Sequence, residues 1–78
     1  MDATFSVYSR RGCHLCELLL EEIEPLVRGR ARIEVFDVDE RDEWRERYGD
    51  RVPVVCFGDR EICQYHLDRR AVLSELAE

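Results

Sequence analysis

The sequence predicts a single α/β domain of order βαβαββα, a mixed four-stranded sheet flanked by helices. Three observations carry this. Two segments that alternate polar and apolar residues, Thr4–Ser9 and Arg32–Val38, bracket a stretch of helical periodicity. A continuous apolar run, Val54–Phe57, is followed by Gly58-Asp59 and a second strand-like segment. An amphipathic segment then closes the chain. With 78 residues there is room for one domain over 1–78, since chains below roughly 80 residues sit near the lower limit for a self-sufficient core.

The elements follow in order. Thr4-Phe5-Ser6-Val7-Tyr8-Ser9 has the period of a strand, and Arg10-Arg11-Gly12 breaks it. From Cys13 to Val27, Leu15, Leu18, Leu19, Ile23, Leu26 and Val27 recur at helical spacing, with Glu17, Glu21, Glu22 and Glu24 on the other face. Pro25 is expected to kink or end this helix, because it lacks the backbone donor and crowds the preceding turn. Gly29 is a stop signal. Arg32–Val38 reads as the second strand.

Asp39–Tyr48 reads as a short surface helix, capped by Asp39 and stopped by Gly49, with Trp44 and Tyr48 as its packing residues. Val54-Val55-Cys56-Phe57 fits a strand covered on both faces. Arg60–Cys63 is its hairpin partner. A two-residue turn at Gly58-Asp59 would set Phe57 opposite Arg60 and Cys56 opposite Glu61. Cys56 and Cys63 would then be diagonal on one face, an awkward geometry for a disulfide. Leu67, Val72, Leu73 and Leu76 mark the last helix, with Asp68 as its N-cap. The first βαβ unit implies two parallel strands, and the hairpin adds antiparallel ones.

Composition narrows the function. A chain that is 45% hydrophobic is an ordinary globular one. No apolar run approaches the roughly 18–20 residues of a membrane helix. Met1-Asp2-Ala3-Thr4 lacks the pattern of a signal peptide. The expectation is a cytoplasmic, monomeric protein with no membrane partner. Twelve basic residues, all arginine, against eighteen acidic give a net charge of −6. Such a balance has no bulk attraction for phosphate backbones, so no nucleic-acid partner is expected.

Four cysteines, Cys13, Cys16, Cys56 and Cys63, remain. A zinc site usually supplies two tight pairs, and only Cys13-His14-Leu15-Cys16 is tight, so no metal ligands are assigned. In a chain without a signal peptide, C-x-x-C beside a βαβ pattern points to redox chemistry. Cys13 falls at a helix start and Cys16 one turn further, so their sulfurs share a face. A bridge across so short a loop has little value as a staple and suits being made and broken. The helix dipole and the orphan amides of the first turn favour the Cys13 thiolate. Arg10, Arg11 and His14 would add positive charge, and Glu17 opposes them. Cys13 is therefore the expected nucleophile and Cys16 the resolving thiol. Cys56 reads as core, and Cys63 as a space filler rather than a third redox thiol. Tyr8 fits a sheet-face packing role as well as a place at the site's rim.

The segment Val7-Tyr8-Ser9-Arg10-Arg11-Gly12-Cys13-His14-Leu15-Cys16 resembles the thioredoxin superfamily, and its glutaredoxin branch most. Tyr48-Gly49-Asp50-Arg51-Val52-Pro53-Val54-Val55 is similar to that superfamily's segment before strand three. The best match is the small glutaredoxin-like group with C-H-L-C and Y-G-x-x-V-P. The resemblance implies a thioredoxin-like fold and a cis Pro53. It also implies that Val52 pairs by backbone with the bound thiol substrate, and that Arg10 stands where the family usually has lysine. Arg10, His14, Val52 and Pro53 are thus the candidate substrate-binding residues.

Two departures stand out. The middle of the motif is His14-Leu15 rather than proline-tyrosine. The paired glycines that admit glutathione close to the backbone are missing from Ile62-Cys63-Gln64-Tyr65-His66. The implied activity is dithiol thiol–disulfide oxidoreduction on protein or low-molecular-weight disulfides. No tightly bound cofactor is needed; glutathione is a candidate co-substrate and a thioredoxin-reductase-type protein a candidate partner. The rival expectations are an iron–sulfur cluster held by Cys13 between two chains, and a non-catalytic interaction module.

Overall fold

The computed structural model describes residues 3–77. Met1, Asp2 and Glu78, which the single-domain and signal-peptide expectations include, lie outside the described residues. The elements are β1 (Thr4–Ser9), α1 (His14–Val27), β2 (Arg32–Asp37), a 3-10 turn (Val38–Glu40), α2 (Asp42–Tyr48), β3 (Val54–Phe57), β4 (Arg60–Gln64) and α3 (Arg69–Leu76). The sheet order is β2-β1-β3-β4. β1 and β2 are parallel, and the other two pairings are antiparallel. The fold class is the one predicted.

Alternation in β1 sorts the core into two layers. Phe5 and Val7 are fully buried against Leu19, Ile23 and Val27 of α1, Val55 of β3 and Val72 of α3. Fully burying a Leu or Ile contributes about 1.5–3 kcal/mol, so this layer dominates stability. The other face packs Val38, Tyr48, Val54 and Cys56, with Tyr8, Trp44 and Val52 at its margin. Aromatic rings bind that layer: Tyr8 stacks on Tyr48 with centroids 4.1 Å apart and on Phe36 at 5.4 Å. Trp44, Tyr48 and Tyr8 are thus packing residues, and Cys56 is core.

Four expectations need correction. Pro25 does not end α1, which runs on to Val27. Pro25 is exposed and near the C-terminus, so the carbonyl it leaves unpaired lies toward water. Asp39 does not cap a helix. The chain after β2 makes a 3-10 turn in which the Asp37 side chain accepts the Asp39 N–H, and α2 starts only at Asp42, after Arg41, which makes no side-chain cap. The Asp39 carboxylate is instead held by Arg10 and Arg45. β2 accordingly ends at Asp37, one residue early.

The fourth correction concerns the hairpin. Phe57 opposes Arg60 and Cys56 opposes Glu61, as expected, but Val55 opposes Cys63 because of a bulge between Val55 and Cys56. One extra residue in a ladder of period two turns the following side chains over. Cys63 therefore packs on the Phe5–Val7 layer while Cys56 lies in the Tyr48 layer, on opposite faces of the sheet.

Candidate active site

The antiparallel register of β1 and β3 pairs Tyr8 with Val54, and that of β3 and β4 pairs Val54 with Gln64. The end of β1, the start of β3 and the end of β4 therefore share one end of the sheet. The segments that follow or precede them there carry Cys13, Val52-Pro53 and Tyr65.

The turn into α1 is built locally. The Cys13 N–H donates to the Arg10 carbonyl at 3.2 Å, closing a four-residue turn. Gly12 is its third residue, with φ +79°, the left-handed region that glycine enters without steric cost. Cys13 then becomes the N-cap of α1. Its sulfur accepts the N–H of Cys16 at 3.2 Å, the bond that a serine or aspartate oxygen usually accepts. Its carbonyl accepts the Glu17 N–H at 3.1 Å.

The two cysteines differ in environment. Cys13 is half-buried and Cys16 is 2% exposed; both are free thiols. Burial, and second a hydrogen bond to the Cys13 side chain, push the Cys16 thiol up to about 12, against a backbone hydrogen bond from Arg10 that lowers it. Cys16 thus stays protonated at neutral pH beside a sulfur that already receives its amide. The exposed face of the pair is thus the Cys13 sulfur, with the Cys16 amide and thiol behind it.

The other candidate residues fall into place unevenly. The Val52–Pro53 bond is cis, as the resemblance implies, and Pro53 is buried. Val52 packs at the margin of the Tyr48 layer. Arg10 is committed elsewhere: Nε and Nη2 donate to the Asp39 carboxylate at 2.9 and 3.2 Å, and Nη1 to the Gly49 carbonyl at 3.1 Å. Asp39 is held below the usual carboxylate range by that bond. His14 projects into solvent, its Nδ1 3.8 Å from Glu17, with 80% of its side chain exposed.

Sequence reading missed the residues that hold the loop before β3. The Arg51 guanidinium donates to Glu61 at 2.5 Å, Gln64 at 2.9 Å and the Arg47 carbonyl at 2.7 Å. Tyr65 donates its hydroxyl to the Asp50 carbonyl at 2.9 Å and its N–H to the Pro53 carbonyl at 2.8 Å. Its φ of +66° is uncommon for a residue with a Cβ. Apart from the Arg47 carbonyl, the partners are ten or more positions apart, beyond any periodic signal. The only hint was the absence of glycine at 64–66. A groove of about 440 Å³ lined by Tyr8, Trp44, Tyr48 and Cys56 extends toward Gly58-Asp59, and neither Cys13 nor Cys16 lines it.

Comparison with known proteins agrees with this geometry. The Glutaredoxin-like domain (DUF836) family model matches residues 4–77. The solution structure of protein Ne2328 from Nitrosomonas europaea is similar, at 32% identity and TM-score 0.87, over 99% of this chain and 94% of that one. Protein XcR50 from X. campestris is similar at 27% identity and TM-score 0.69, over 92% and 93% of the two chains. The germline-specific thioredoxin Deadhead of Drosophila melanogaster, at 19% identity and TM-score 0.57 over 96% of this chain and 78% of that one, shares the fold. No curated protein matches the chain. A family match over nearly every residue, with Cys13 and Cys16 at the head of α1, places this chain in the glutaredoxin-like (DUF836) family of thioredoxin-fold proteins.

Proposed function

We propose that the chain is a dithiol thiol–disulfide oxidoreductase. The observation that carries this is the asymmetry of the pair: a half-buried Cys13 at the helix start, its sulfur receiving the Cys16 amide, and a buried, protonated Cys16 behind it. The Cys13 thiolate attacks one sulfur of a substrate disulfide. A Cys13–substrate bond forms, the substrate S–S bond breaks, and the departing thiolate takes up a proton. Cys16 then loses its proton and attacks the Cys13 sulfur, releasing the second substrate thiolate. The substrate gains two electrons and the chain ends as the Cys13–Cys16 disulfide.

Reopening the bridge requires a thiol reductant, either two glutathione molecules or a thioredoxin-reductase-type partner. A reducing compartment such as the cytoplasm suits that cycle. Val52 and Pro53, at the same end of the sheet, form the wall against which the substrate disulfide lies, and the exposed His14 forms the rim. No resident cofactor takes part, and one chain suffices.

The test is turnover of a protein disulfide and of a glutathione mixed disulfide, coupled in turn to glutathione with glutathione reductase and to thioredoxin reductase. Turnover in either system that depends on both Cys13 and Cys16 supports the reading. Inactivity in both, with fully reduced protein, overturns it in favour of a binding module.

A further inference from the structure

Three segments distant in sequence meet on one side chain. The Arg10 guanidinium reaches Asp39 in the turn after β2 and the Gly49 carbonyl at the end of α2, 29 and 39 positions away. The Arg10 carbonyl meanwhile accepts the Cys13 N–H. The far end of the contact is itself fixed, since Arg45 Nε donates to Asp39 Oδ1 at 3.3 Å and its Nη2 to the Asp39 carbonyl at 3.1 Å. The guanidinium also lies against bare backbone: a Cβ on Gly49 would stand 3.3 Å from Arg10 Nη2 and 2.4 Å from the Arg45 carbonyl oxygen.

We propose that Arg10 is a positioning residue of the thiol site, its planar fork fixing the Arg10–Cys13 turn so that the Cys16 amide meets the Cys13 sulfur. It is not a free cation for substrate or sulfur. This rests on Cys13 being the nucleophile. Two arguments support it. A guanidinium bound in two places by a carboxylate presents a neutralised pair to its surroundings, whose field falls off faster than that of a lone charge. The pair is also partly exposed, at 36% and 46% of the two side chains, and such pairs add little to stability. Their effect here is on geometry. Lysine, a single rotatable ammonium, cannot reproduce a fork that engages a carboxylate and a carbonyl together.

The test is the rate of iodoacetamide alkylation of Cys13 in the reduced protein, followed from roughly pH 6 to pH 10. Wild type, Arg10→Lys and Asp39→Asn are compared, with circular dichroism to verify the fold. Arg10→Lys keeps the charge and loses the fork. Asp39→Asn leaves the guanidinium without its counter-charge. A positioning role slows Cys13 in both variants by about tenfold near neutral pH, the scale of a lost hydrogen bond to a charged group, and moves both profiles to higher pH. A charge acting through space leaves Arg10→Lys like the wild type and makes Asp39→Asn faster. Either variant labelling as fast as wild type, or faster, overturns the proposal. If one variant does not fold, the other decides alone. Alkylation needs no turnover, so an inactive wild type whose Cys13 still labels refutes the proposed function and leaves this test intact.

Discussion

The sulfur of Cys13 accepts the backbone N–H of Cys16 at 3.2 Å, which makes one cysteine the cap of α1 and the other its first buried residue. Two identical side chains three positions apart thereby acquire different chemistry. The outer one is half-buried, and burial keeps the inner one protonated at neutral pH.

Labelling order should follow this difference. In the reduced protein near pH 7, iodoacetamide is expected to modify Cys13 first. Cys63 is half-buried and its thiol is pushed up by burial, so it follows slowly. Cys16 and Cys56 are buried and should react only on unfolding. Peptide mapping by mass spectrometry reads the order directly. Labelling of Cys56 as fast as Cys13 would contradict the two-layer core.

Single-cysteine variants should separate the two chemical roles. Cys13→Ser is expected to reduce disulfide turnover to background. Cys16→Ser should still attack but not resolve, and so accumulate a Cys13–substrate mixed disulfide visible as an intact-mass increase. A mixed disulfide mapped to Cys16 in the Cys13→Ser protein would reverse the assignment.

Alkaline pH should destabilise the reduced protein. Burial raises Cys16 from 9.0 to about 12, Tyr48 from 10.0 to about 12, and Cys56 and Cys63 in the same direction. These groups keep their protons when folded and release them when unfolded. The stability linked to them is therefore complete below about pH 9 and declines as pH rises toward 12. A buried group such as Cys16 gives a slope of about 1.4 kcal/mol per pH unit in that window. Urea midpoints at a series of pH values should fall above pH 9, and less steeply for Cys16→Ala. A flat profile from pH 8 to pH 11 would count against burial of these groups.

Ile23→Ala should cost about 2–5 kcal/mol, because Ile23 is fully buried between the sheet and α3. Small domains have only about 5–15 kcal/mol in hand, so this variant should melt far below the wild type. Gly49→Ala is expected to destabilise by about 1–3 kcal/mol, since its new methyl meets the Arg45 carbonyl, which is backbone and cannot swing aside. Thermal melts followed by circular dichroism measure both; a wild-type midpoint for Gly49→Ala would mean that the end of α2 yields freely.

The sequence by itself determined the element order, the two-sided burial of Val54–Phe57, the Asp68 cap and the place of Cys13 and Cys16 at a helix start. Each is a local property: a period, a capping side chain, a glycine, a spacing of three. The Val52-Pro53 segment was legible by resemblance. What only the tertiary structure decided involves partners far apart along the chain. Asp39 looks like a helix cap beside its neighbours, yet Arg10 and Arg45 claim its carboxylate, and α2 starts three residues later. Arg10 looks like a free cation beside the thiols, yet two distant acceptors occupy its guanidinium. Cys63 moves to the other face because the sheet inserts a bulge that no hydrophobic pattern in so short a strand encodes. Side-chain hydrogen bonds and ladder irregularities are satisfied in three dimensions among competing partners, so they are settled only when the sheet brings its strand ends together.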